Sequence, residues 1–242
     1  SEFSGKTMDS YGSFTEDDSG NFHCNAVAGI AAANFANGSD STDIMGVAYE
    51  ANLYLTSAAN STGSANWESH AVAANNAAAA KSNIAAQNNS WVSADNTDSH
   101  ADANLNYSEA KVFIDANTGV NAYQIGAALY FHNWNNAFQA SEIQDENHES
   151  VTRYQNYITS LNNLQSAGAV IVFASGNYDG ESDVSWYGAL PELHSELAEA
   201  WLSVGWVEIT GDIASNTVSL KGNKCGTAKE YYLVADGHEI RT

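Results

Sequence analysis

Ala169-Val170-Ile171-Val172-Phe173-Ala174-Ser175-Gly176-Asn177 is the stretch on which the fold turns. Six apolar residues, three of them β-branched, run without a polar interruption and stop at Ser-Gly-Asn. A sheet with one wet face alternates polar and apolar residues. A continuous run suits a parallel strand buried on both faces. Just upstream, Val151, Tyr154, Ile158, Leu161 and Leu164 recur at helical intervals until Gly168 stops them. A helix feeding such a strand is half of a crossover unit, so the chain is expected to be α/β with a mainly parallel sheet.

Working outward, Trp201 to Thr210, Thr217 to Leu220 and Tyr231 to Ala235 read as strands, with Lys221-Gly222-Asn223-Lys224 as a loop. Towards the N-terminus, Tyr123 to Phe138 is loosely helical, Ile84 to Trp91 reads as a strand, and Ala51 to Ser57 as a short buried strand. From Asn66 to Ser82 alanine favours helix while asparagine weakens it. The small apolar run Ala26 to Ala33 suits a helix lying close on a sheet. Residues 1–21 and 34–42 read as polar loops, and 93–109 and 139–150 as acidic surface insertions. No linker or internal repeat divides the chain, which is expected to form one domain over residues 1–242.

The chain has 8 Lys and Arg against 29 Asp and Glu, a formal net charge of −21 over 242 residues. That excess excludes a nucleic-acid backbone binder, which must displace counterions with positive charge, and disfavours anionic membranes. Hydrophobic residues at 44% and aromatics at 11% exclude a disordered acidic tail. No apolar run is long enough to span a bilayer. The start, Ser1-Glu2-Phe3-Ser4-Gly5, carries no signal-peptide features. Cys24 and Cys225 either form one long-range bridge or remain two buried thiols.

Seven histidines are present, but none forms an HExxH pair or a Cys/His cluster, so no metal site is expected. Acidic loops can hold structural Ca²⁺, yet no Asp-x-Asp-x-Asp-Gly loop supports one. Phosphate-cradling glycine motifs are absent from the sequence, and no cofactor is expected. His23 opens the small-residue helix, which suits a rigidly held general base and equally a surface histidine before a helix. Asn177 lies just past the carboxyl end of the apolar strand, where open α/β sheets place ligands. Its carboxamide can donate to a developing oxyanion, although Ser-Gly-Asn is also ordinary turn chemistry.

Taken in order, these segments resemble the subtilisin family of serine endopeptidases, and more closely its bacterial passenger-domain members. His23-Cys24-Asn25-Ala26-Val27-Ala28-Gly29-Ile30 is similar to the block holding the catalytic base, which makes His23 the general base. Gly46-Val47-Ala48 with Ala51 and Leu53 is similar to the family's Gly-Val-Ala segment and its following strand. Asn88-Asn89-Ser90-Trp91 resembles the strand that pairs with substrate backbone, making Ser90, Trp91 and Val92 the binding edge. Val172 to Asn177 resembles the oxyanion segment, with Asn177 as donor and Ser175 and Gly176 beside the substrate. Glu2-Phe3-Ser4-Gly5 resembles the segment that follows the strand bearing the catalytic Asp.

The resemblance implies a subtilisin-like three-layer sandwich lacking N- and C-terminal segments. The catalytic Asp is expected upstream of Ser1 and the nucleophilic Ser beyond Thr242. Asp9 is not taken for the triad, since no apolar strand precedes it. Gly226-Thr227-Ala228 looks like a Ser-to-Ala version of the nucleophile motif but precedes the last strand. The implied function is part of a secreted serine protease, outside the cell or on its surface, acting on peptides or proteins. Its partners would be that substrate and the remaining segments of its own domain. Cys24, Ala26 and Val92 depart from the family pattern, and Cβ atoms at Cys24 and Val92 narrow the space for substrate. These departures favour the alternative, a catalytically inactive protease fold that binds or assembles with copies of itself.

Overall fold

The computed structural model describes residues 3–11, 23–34, 45–56, 67–90, 105–131, 145–178, 180–211 and 215–237. The described residues divide into two compact units, one ending at Ala78 and the other beginning at Ala79.

In the first unit, β1 (Met8–Tyr11) and β2 (Leu53–Thr56) pair in parallel, Met8 opposite Leu53 and Tyr11 opposite Thr56. A strand at Met8–Tyr11 replaces the loop expected there. Four residues of mixed polarity carry no period, and neighbouring contacts hold the segment extended. The Lys6 ammonium donates to the carbonyls of Tyr49 and Ala51, the latter at 2.9 Å. Thr7 N–H donates to Asn52 Oδ1 at 3.1 Å, and Leu53 N–H to the Thr7 carbonyl at 3.2 Å. Strand β2 is half-buried rather than buried.

Helices α1 (His23–Ala32) and α2 (Trp67–Ala79) follow their small-residue runs, so alanine prevails over asparagine in the second. The last carbonyls of a helix need outside donors. Ile30 and Ala31 of α1, and Ala33 just beyond it, find them in Val47, Ala48 and Gly46, whose N–H groups donate to their carbonyls at 2.8 to 3.0 Å. A Cβ on Gly46 would overlap the backbone of Ala32 and Ala33, so only glycine fits there.

In the second unit, β3 (Ala86–Asn89), β4 (Val170–Ala174) and β5 (Trp201–Thr210) lie side by side in parallel. Strand β6 (Thr217–Leu220) runs antiparallel to β5, and β7 (Tyr232–Asp236) runs parallel to it. The described residues of this unit also form helices α3 (Tyr107–Ala116), α4 (Ala122–Phe131), α5 (Glu149–Ser166) and the short α6 (Leu190–Leu193). Among the described residues 3-10 turns lie at Tyr187–Ala189, Ser195–Ala200 and Gly226–Glu230.

Helix α5 buries the stripe read from its sequence: Val151, Tyr154, Ile158, Leu161 and Leu164. Gly168, at φ +100°, turns the chain so that Ala169 N–H reaches back to the Leu164 carbonyl and Val170 N–H to Ala85. Strand β4 buries Ile171 and Phe173 completely but leaves Val170, Val172 and Ala174 half-covered. The expected burial on both faces is therefore met on one. The Phe173 ring stacks on Trp201 at 5.0 Å between centroids.

Of the two expected acidic insertions, 93–104 and 139–144 lie outside the described residues. The remainder of the first differs from expectation: Asn106 and Tyr107 are buried, and Glu109 lies in the first turn of α3. Asp145, Glu146 and Asn147 are exposed, while Glu149 and Ser150 begin α5.

Candidate functional site

Asn89 lies opposite Phe173, so β3 and β4 end together. Ser90 and the segment Ser175-Gly176-Asn177 both leave the sheet at these carboxyl ends, the usual ligand position of such sheets. The asparagines before Ser90 divide two tasks. Asn89 is buried and donates to the Val172 carbonyl at 3.3 Å, bracing β3 on β4. Asn88 donates to Ser90 Oγ at 2.8 Å. Trp91 and Val92 lie outside the described residues.

Strand β6 closes the edge above β4. The Val204 carbonyl accepts the Ser175 N–H at 2.9 Å, and the Trp206 carbonyl accepts the Lys221 N–H at 3.1 Å. Carbonyls two residues apart on a strand point to the same edge. The Val207 carbonyl, facing the other edge, accepts from Gly237 on the β7 side. β6 and the Lys221–Lys224 loop therefore continue β5's β4-facing edge, beyond the point where β4 ends.

The loop after β4 is held on both sides of Asn177. Ser175 is fully buried, and its carbonyl accepts the Ser185 N–H at 2.6 Å. The carbonyl of Gly176, a residue at φ +117°, accepts the Asn223 N–H at 3.2 Å. Tyr178 N–H donates to Asn223 Oδ1 at 3.1 Å. Asn177 itself is exposed. A Cβ on Gly176 would overlap the Asn223 carboxamide.

Asn223 has no exposed surface and is itself anchored. Its Nδ2 donates to the Asp183 carbonyl at 3.0 Å, and its own carbonyl accepts the Tyr232 hydroxyl at 2.8 Å. Gly205 leaves the room that this hydroxyl occupies. Burial raises the Tyr232 pKa, which keeps the hydroxyl protonated as a donor. In sequence Asn223 is only a loop residue, and no local signal marks it.

Asp183 is buried with its carboxylate among neutral donors: Ser108 Oγ at 2.8 Å, Val184 N–H at 2.9 Å and Thr227 N–H at 3.0 Å. The Thr227 hydroxyl adds a bond at 3.1 Å. Gly226-Thr227, a look-alike of the nucleophile motif, thus seats this carboxylate. Gly226, at φ +46°, could not carry a Cβ without striking Asp183.

The structure brings Ser90, Ser175, Gly176 and Asn177 to one sheet end. His23 is the first residue of α1 in the first unit, and the side chains of His23 and Cys24 lie outside what is described. Cys225 is a free, half-buried thiol. Among the described residues no group of three or more His, Cys, Asp or Glu is placed to hold a metal ion. Nor is any described helix long and apolar enough to cross a membrane.

The model of the subtilase family, Peptidase_S8, matches residues 1–242. No curated protein matches the chain. Among solved structures the chain is similar to a sphericase, with 19% identity and a TM-score of 0.44, covering 84% of this chain and 45% of that one. It is likewise similar to the S41 psychrophilic protease, with 17% identity, a TM-score of 0.45 and the same two coverages, 84% and 45%. The chain thus spans less than half the length of either protease.

Proposed function

The chain belongs to the subtilase family, and from that premise we propose that it is the central portion of a secreted serine endopeptidase whose catalytic Asp and Ser lie in flanking sequence. The observation that carries this reading is the position of Asn177. It stands exposed at the carboxyl end of β4, between two backbone groups that Asn223 holds in place.

In the proposed reaction the flanking Ser attacks the scissile carbonyl while His23 takes its proton and later returns it to the leaving amine. The flanking Asp fixes the His23 tautomer. Asn177 and a backbone N–H bind the oxyanion of the tetrahedral intermediate, where a donor is worth most. Ser90, Trp91 and Val92 pair with the peptide as an added strand, while Ser175 and Gly176, expected beside the peptide but both buried, instead hold the loop that carries Asn177. No step calls for a metal or a cofactor. The substrate is a peptide or protein, and the site of action is outside the cell.

The test uses the full-length protein. A fluorophosphonate probe should label it, and His23→Ala should abolish both labelling and peptide cleavage. Asn177→Ala should lower kcat by about 100- to 1,000-fold at nearly unchanged KM, the loss known for a subtilisin's own oxyanion donor. Full-length sequence lacking both Asp and Ser, or an activated protein that no probe labels, would overturn the reading. Cys24, Ala26 and Val92 then favour the second reading, an inactive fold that binds or assembles at the cell surface.

A further inference from the structure

We propose that Asn223 is the positioning residue of the oxyanion loop, setting where the Asn177 carboxamide sits without itself touching substrate. The inference rests on the reading of Asn177 above and deepens it. A donor at an exposed loop tip is aimed only if the backbone is stopped both before and after it. Asn223 does both: its main-chain N–H donates to the Gly176 carbonyl, and its Oδ1 accepts the Tyr178 N–H.

The clamp is rigid because Asn223 has no exposed surface and is tied elsewhere. Its Nδ2 is bound to the Asp183 carbonyl, and its carbonyl to the Tyr232 hydroxyl. Asp183 is fixed in turn by Ser108 and Thr227, so α3, the 3-10 turn at Gly226–Glu230 and β7 all bear on one loop. A carboxamide is required here. It must accept from Tyr178 and donate to Asp183 at once, which neither a carboxylate nor an apolar isostere does. Glycine at 176 lets the two segments meet this closely.

Two measurements test the proposal. Native-state hydrogen exchange reads the clamp whether or not the protein is active. Asn223→Ala should speed exchange of the Tyr178 amide by at least about 10-fold relative to β5 amides, as expected for a lost hydrogen bond. A Tyr178 amide that stays protected overturns the inference.

Kinetics on the full-length protein reads its consequence. Asn223→Ala should lower kcat by about 100-fold, the usual cost of a reacting group misplaced by 1 Å, with KM little changed. In the Asn177→Ala background the same substitution should cost almost nothing further, because the donor it aims is gone. Equal losses in both backgrounds overturn a positioning role. Asn223→Asp keeps the acceptor for Tyr178 and serves if the alanine variant does not fold. Its kcat relative to the unsubstituted protein's should recover at acid pH, where the buried carboxyl regains a proton to donate to the Asp183 carbonyl, and a pH profile parallel to the unsubstituted protein's counts against the inference. If Asn177→Ala alone leaves kcat intact, the oxyanion reading fails while hydrogen exchange still decides the clamp.

Discussion

Two glycines with similar backbones separate conformational strain from steric conflict. Gly168 lies at φ +100° and Gly176 at φ +117°, both in the region an L side chain avoids. A Cβ on Gly168 would meet only the Ile84 carbonyl, at 3.9 Å, which is ordinary contact. Gly168→Ala should therefore cost only the strain, about 1–2 kcal/mol. At Gly176 the same strain adds to overlap with the buried Asn223, and overpacking of this kind costs about 1–3 kcal/mol. Gly176→Ala should lose about 2–5 kcal/mol in urea unfolding, the upper end if Asn223 cannot shift. Equal losses at the two positions would mean that Asn223 yields freely and holds the loop weakly.

Elements were legible where a period ran long enough. Helix α5 shows five apolar residues at helical spacing, and β4 an unbroken apolar run, so both are readable in the sequence together with Asn177 at the turn beyond them. Strand β1 is four residues of mixed polarity held by Lys6 and Thr7, and nothing local announces it. Helix α3 did carry a signal. Asn106-Tyr107-Ser108-Glu109 is a capping box: Glu109 N–H donates to Asn106 Oδ1 at 3.0 Å, and Asn106 N–H to Glu109 Oε2 at 3.1 Å. Asn121 and Gln124 repeat the exchange before α4, at 2.9 Å each way. Scattered acids concealed the first box. Asn223 had no comparable mark, because its role arises only when β6 returns beside β4. Asn106→Ala should cost about 0.5–2 kcal/mol for the cap, and somewhat more because Asn106 Nδ2 also holds Glu181. Thermal melts of this variant beside Lys111→Ala, in an exposed ion pair on the same helix, will show whether the cap matters as stated.

On the scale of the molecule, acidity and one buried histidine pull stability in opposite directions as pH falls. The net charge of −21 sets carboxylates against one another, so protonating them below about pH 5 relieves repulsion. His194 acts at higher pH. It is 1% exposed, and Tyr154 of α5 bonds its Nε2 at 2.9 Å. Tyr123 of α4 covers its ring, and Glu196 lies 3.5 Å from Nδ1. Burial lowers the His194 pKa from 6.5 to about 4, outweighing the opposite pull of the Glu196 charge. Between those values the unfolded chain binds a proton that the folded chain refuses, so stability is full above pH 6.5 and falls towards pH 4. The loss between pH 6.5 and 5 should be about 2 kcal/mol, before carboxylate titration intervenes. Urea unfolding across this window should show the slope, and His194→Gln, less stable throughout, should flatten it. An unchanged slope in that variant would assign the pH dependence to other groups and leave His194 a packing residue.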